Sequence, residues 1–333
     1  MTIQTTNIDA TSGNAVNLTK GDEVFFTIAN GVVVEAQNGL GIVADSTDNF
    51  FIYNNGSIVA NDPGVELEAS SDHFYNERGG SVFGFDGVDM GTTGEAFVNY
   101  GDVSAFATGV YDTAGGNTIS NFGTIEGPVG LSVAAAGEVI TNSNTGAIDG
   151  GISLVSGGDT ITNAGSIDGA VTFTGTGKTN SLTNSGEITG NLKFSGADST
   201  LTNTGSITGD VYLAADGPLI NDGTIHGTLY AAASDVIDDS RGIVTGGIRA
   251  WTSDTFEYEG NFGNETINKF ITGTASNHDV IQFATNDFGS FAAVQKDMSQ
   301  VGADVVIRLD GTDSITLDNI KLSSLLSADF KFV

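Results

Sequence analysis

The chain contains no cysteine, 3 prolines and 1 tryptophan among its 333 residues. Without cysteine it has no disulfide scaffold and no thiolate metal site. Basic residues are scarce too: 11 Lys and Arg stand against 41 Asp and Glu, a formal charge of −30. Such a field repels phosphate backbones and anionic lipid, so neither nucleic acid nor a membrane surface is expected as a partner. No stretch approaches the ~18 consecutive apolar residues of a membrane span. The opening segment MTIQTTNIDATSGNAVNLTKGDEVFF lacks a basic start followed by an apolar core, so no cleaved secretory signal is expected. Glycine is abundant at 47 residues, but it does not recur every third position and proline is rare, which excludes collagen. Hydrophobic residues make up 39% of the chain, enough to build a core.

A heptapeptide, Asn-x-Gly-x-Ile-x-Gly, organises the sequence. It reads NFGTIEG from Asn121, NTGAIDG from Asn144, NAGSIDG from Asn163, NSGEITG from Asn184, NTGSITG from Asn203 and NDGTIHG from Asn221. Weaker copies begin at Asn54, Arg78, Asn99 and Ser240, and successive copies start 18 to 24 residues apart. That period is too short for helical repeats or propeller blades. Short β-prone runs separated by Gly, Asn, Asp and Ser place three strands and three turns in each period. The expected fold is all-β: a parallel β-helix (β-solenoid) of about 18 to 24 residues per coil, whose coils bury their apolar faces only by stacking.

Three inward columns are expected. The first is Ile58, Val82, Val103, Ile125, Ile148, Ile167, Ile188, Ile207, Ile225 and Val244. The second holds Val171/Phe173, Leu192/Phe194 and Val211/Leu213; the third holds Ile140, Ile161, Leu182, Leu201 and Ile220. The column Asn121, Asn144, Asn163, Asn184, Asn203 and Asn221 is expected to stack its amides. The Gly two places after each Asn suits a left-handed turn. Residues 1–53, with strands expected at Glu23–Ile28 and Gly31–Glu35, read as first coils and a cap. Residues 54–250 carry the repeats, and 251–333 form a separate C-terminal domain.

That last segment differs in composition. Phe288, Phe291, Val294 and Met298 share one helical face, with Asn286 or Asp287 as cap. Strands are expected at Asp304–Leu309 and Ser314–Leu317, joined by Asp310-Gly311-Thr312-Asp313. Together with Gly260–Ile267, Asp279–Phe283, Gly302–Ile307 and the closing Ala328–Val333, this order resembles the C-terminal secretion domain of repeats-in-toxin proteins and serralysin-type proteases. The resemblance implies export by type I secretion machinery and a secreted, extracellular or cell-surface location. The calcium nonapeptide of that family, G-G-x-G-x-D-x-U-x, occurs once in altered form, with Asn261 for its second Gly and Glu265 for its Asp. The central repeats are similar to the solenoids of autotransporter and surface-adhesin passengers.

Candidate chemistry is confined to carboxylates. Residues just after the first column include Glu126, Asp149 and Asp168 in successive coils. Like charges that close repel one another unless a cation joins them, so the row reads either as a solvated acidic face with its side chains splayed apart or as a Ca2+ site, with Asp310, Asp313 and Asp318 as weaker candidate ligands in the tail. Asp235, Asp238, Asp239 and Arg241 read as an ion pair or cap. The leading functional expectation is a non-enzymatic structural protein: an adhesin, matrix component or filament that self-associates into fibres or sheets and touches cell-surface polysaccharide. A β-helix lyase or epimerase acting on acidic polysaccharide, and a toxin-like effector, are the alternatives. A lyase needs a base beside its carboxylates, and basic residues near the acidic row are few.

Overall fold

A computed structural model describes residues 1–21, 24–45, 48–175, 177–196 and 198–333. The chain is nearly all β, a parallel β-solenoid with one short α-helix among the described residues. It divides into two compact units, Met1–Gly175 and Thr176–Val333. Among the described residues, no helix is long and apolar enough to cross a membrane.

Each coil contributes three strands, as in Thr118–Asn121, Thr124–Glu126 and Val129–Val133. In the first unit the first strand of each coil recurs from Thr2–Gln4 to Thr160–Asn163, every neighbour parallel and in register. In the second unit it recurs from Ser181–Asn184 to Phe330–Phe332. The segment from residue 1 already forms strands: Ile8 pairs with Val34 and Val34 with Ile58. Of the two strands expected in that segment, one is Phe25–Ile28 and the other Val33–Ala36; Glu23 lies outside the described residues. Stacking also continues past residue 250, where Ile248 pairs with Ile267 and Phe256 with Ile281.

The alternation of side chains across a strand explains the core. In Thr124–Glu126 only Ile125 points inward, between Val103 and Ile148. All ten members of the expected first column are buried. The third column differs by one residue at its end. Leu219, not Ile220, pairs with Leu201, and Ile220 is 42% exposed opposite Thr202. In a period-2 strand the adjacent position faces the other way, so the second of two neighbouring apolar residues turns outward.

The asparagine column forms a directional amide ladder. In the first unit each Nδ2 donates to the Oδ1 of the next coil, from Asn54 through Asn76, Asn99, Asn121 and Asn142 to Asn163, at 2.8–2.9 Å. In the second it runs from Asn184 through Asn203 and Asn221 to Asp239, at 2.7–2.9 Å. The rung in the fifth copy is Asn142, and Asn144 is exposed. The first strand ends at Asn142, and the turn there carries two extra residues before Gly146. Asp239 terminates the second ladder with a group that accepts and has no amide to pass on.

At six positions where a glycine follows two places after a ladder asparagine, it is not left-handed. None of Gly56, Gly101, Gly123, Gly165, Gly205 and Gly223 has positive φ. A Cβ on Gly123 would instead overlap the carbonyl oxygen of Gly101 one coil below, and one on Gly205 that of Gly186. Close approach of stacked turns, rather than backbone handedness, demands glycine there.

The tail helix is confined to Phe291–Val294 and capped by Ser290, whose Oγ accepts from the Ala293 N–H at 3.3 Å. Val294 is the buried residue of the helix; Phe288 is also buried but precedes it, because the helix does not start at Asn286 or Asp287. Met298 belongs to the next strand, Met298–Val301, because the hairpin with Asp304–Arg308 claims its backbone. Ser314–Leu317 pairs antiparallel with Asp304–Arg308 and parallel with Asn264–Asn268.

Candidate functional site

The acidic row exists as a row. Glu126 pairs with Asp149 and Asp149 with Asp168, so the three carboxylates leave one face in successive coils about 4.8 Å apart. Glu126 and Asp168 are exposed and Asp149 is half-buried. The tail carboxylates are not brought to one point. Asp310 is fully exposed and closes a turn, its Oδ1 accepting the N–H of Thr312 at 2.7 Å and of Asp313 at 2.9 Å. These bonds, led by the Thr312 N–H, hold its pKa below the usual carboxylate value. Asp313 is buried and accepts from the N–H of Gly263 at 2.6 Å and of Asn261 at 3.3 Å. The turn resembling the calcium nonapeptide is thus pinned by a carboxylate of the chain itself. Glu265, standing for the nonapeptide aspartate, is 1% exposed and accepts from the Val244 N–H at 3.3 Å. Asp318 lies apart, its Oδ2 accepting from Asn319 Nδ2 at 2.8 Å. Among the described residues, no group of three or more His, Asp or Glu is gathered to hold a metal ion. Asp235 and Asp239 are both buried, whereas Arg241 is exposed.

A second set of carboxylates is not apparent from the repeat motif. Asp72, Glu95, Glu138 and Asp159 each stand four residues before a ladder asparagine, at the corner where the first strand begins. All four are buried. Asp72 Oδ1 accepts the N–H of Phe50 at 2.8 Å, Glu138 Oε2 that of Asn117 at 2.9 Å and Asp159 Oδ1 that of Gly137 at 2.9 Å, each reaching one coil back. The second unit repeats the device with Asp235 on Gly217, Asp254 on Asp235 and Asp279 on Asp254, at 2.9–3.1 Å. The acidic or amide residue at a fixed offset of four before the Asn is the signal in the sequence that points to this column.

Burial sets the proton affinity of this column. It pushes Asp72 up to about 6 and Glu95 and Glu138 to about 8, the last also raised by Asp112 beside it. In the second unit burial lifts Asp235 to about 6 and Asp254 to about 7. At the end of the second ladder, Asp239 and Glu265 rise to about 7 and about 9, burial again leading. There Asp239 Oδ2, Glu265 Oε2 and Tyr258 Oη are buried without a hydrogen-bond partner. The column is therefore structural chemistry with a proton-dependent charge.

The second unit also carries an outward row of different character. Lys193, Tyr212, Tyr230, Arg249 and Asn268 occupy successive rungs. The two tyrosine rings stack at 4.6 Å and 7°, and the Arg249 guanidinium lies 6.0 Å from the Tyr230 ring centre. A groove of about 460 Å³ is lined by Tyr212, Tyr230, Arg249 and Trp251. A neighbouring groove of about 420 Å³ shares Tyr230 and Arg249 and adds Lys269 and Asp318. The heptapeptide frame hides this row, because it lies in the third strand of each coil, outside the repeated motif. Comparison of the chain with models of known protein families gives no match, and comparison with curated proteins gives none.

Proposed function

We propose that this chain is a secreted structural solenoid of the cell surface or extracellular matrix, exported through its C-terminal segment, and not an enzyme. The observation that carries the reading is the repetition of interior chemistry. The amide ladder and the corner carboxylates spend their hydrogen bonds on the neighbouring coil, which makes a stiff scaffold rather than a convergent reactive centre. Export rests on the resemblance of residues 260–333 to type I secretion domains. Fused to a reporter and expressed with the cognate machinery, residues 251–333 carry the reporter into the medium. A reporter that stays in the cytoplasm sinks the export part of the reading.

Self-association into fibres or sheets belongs to the same proposal. The first unit offers an outward stack of Phe25, Phe51 and His73, with ring centres 5.2 and 4.7 Å apart and Phe25 41% exposed, of the kind that covers itself by association. The −30 charge opposes such contact until cations screen it. Ca2+ at the row Glu126, Asp149 and Asp168 supplies part of that screening, since three carboxylates leave one face there in successive coils. Sedimentation shifts to large species in millimolar Ca2+ and returns to the starting value in chelator; Glu126→Gln with Asp149→Asn weakens the response. Identical profiles with and without Ca2+ remove the ion from the proposal.

A further inference from the structure

We propose that the outward face of the second unit built from Tyr212, Tyr230, Arg249, Trp251 and Lys269 is a binding site for an extended acidic polysaccharide of the polyuronate type.

Charge is the first argument. Only 11 basic residues occur in the chain, yet Lys193, Arg249 and Lys269 are all exposed on or beside this one row. Three cations along one row of a strongly acidic protein favour an anion there, although Asp210 on the Tyr212 hydroxyl and Asp318 in the second groove are also present. The guanidinium is the group best matched to a planar carboxylate, which it grips through two parallel N–H bonds. Arg249 is placed over the Tyr230 ring and lines both grooves, so an anion bound to it is shared between them.

The remaining chemistry distinguishes a sugar from an acidic peptide. Trp251, the single tryptophan, is 60% exposed, and an open indole face takes the apolar C–H face of a pyranose ring. Its backbone is fixed, since the Trp251 N–H donates to the buried Asp254 Oδ2 at 2.8 Å. The second groove adds Asn268, Asn319 and Asp318, a mixed set of donors and acceptors suited to hydroxyl groups. Two of its residues, Lys269 and Asn319, hold left-handed backbones, φ 63° and 58°. Such strain in non-glycine residues concentrates at binding sites. Both grooves are shallow and lie along the stacking direction, which favours a polymer over a compact ligand.

The site builds on the surface role proposed above, but binding is measured on purified full-length protein, so a failure to bind leaves the export reading standing and a failure of export leaves the site standing. Polygalacturonate is titrated calorimetrically, with dextran as neutral control. Native protein binds the polyuronate and not dextran, and binding weakens as salt is raised. Arg249→Ala and Trp251→Ala each lower affinity by about tenfold or more, the loss expected for a charge-assisted contact or a ring contact. Both residues are exposed, and unchanged melting temperatures confirm that the fold is kept. Lys20→Ala, at a basic residue far from the row in sequence, leaves affinity unchanged. Equal binding of dextran, full affinity in Arg249→Ala, or no binding at all overturns the proposal. So does loss of self-association in Arg249→Glu without any polysaccharide binding, which makes the face a contact between copies.

Discussion

Replacing Ile125 by Asp unfolds the first unit. Ile125 has no exposed surface and sits between Val103 and Ile148 in the inward column. A carboxylate placed there finds apolar neighbours on both rungs and no cation. Removing the isoleucine forfeits ~2–5 kcal/mol of packing, and the buried unpaired charge adds several kcal/mol more. The sum rivals the ~5–15 kcal/mol that hold a whole domain. Circular dichroism shows loss of the β signal or a melting temperature lowered by more than 10 °C, roughly 2.5–5 kcal/mol or more at typical melting entropies. Glu126→Ala, one residue on and facing solvent, changes stability by less than about 0.5 kcal/mol. The opposite ranking of the two variants means that the register is off by one residue.

Stability falls as pH rises from about 4 to about 9. A carboxyl whose folded pKa lies above its unfolded value binds more protons in the folded chain than in the unfolded one. The stabilisation from that proton is complete below the unfolded pKa, near 4, and is lost as pH climbs through the folded value. Asp72 and Asp235 lose theirs by about pH 6, Asp239 and Asp254 by about 7, Glu95 and Glu138 by about 8, and Glu265 by about 9. A tenfold difference in proton affinity between the folded and unfolded chain corresponds to ~1.4 kcal/mol, so these groups together move the protein by several kcal/mol. Growing self-repulsion of the acidic surface acts in the same direction. Melting temperatures at pH 5, 7 and 9 and constant ionic strength decline in that order. Glu95→Gln and Glu265→Gln put an amide where the protonated carboxyl stood and flatten the decline. A melting temperature that is constant or rises from pH 5 to 9 contradicts the assignment of these carboxyls as protonated.

The repeat alone determined that this is a β-solenoid, that Ile125 and its equivalents face inward, and that the asparagines stack. Identical residues at a constant interval meet the same neighbours in every coil, so periodicity translates directly into contact. The same logic failed wherever the interval slipped by a residue or two. Asn142 and Leu219 hold the columns that Asn144 and Ile220 were expected to hold, because a local insertion or a doubled apolar residue leaves the motif readable in more than one frame. Only backbone pairing chooses the frame. The glycines were recognised as obligatory for an incomplete reason: a single coil shows a turn, and the carbonyl that excludes a Cβ belongs to the coil below.

The tertiary structure alone decided the chemistry. Asp72 or Glu138 reads in sequence as another surface acid among 41. It becomes a proton-binding group because folding removes it from water and gives it a backbone N–H one coil back. Tyr212, Tyr230 and Arg249 stand 18 and 19 residues apart with no motif between them. They form one face because parallel stacking lays the third strand of each coil upon the last. Burial and adjacency between coils arise from packing distant segments together, so they exist only once the stack has formed.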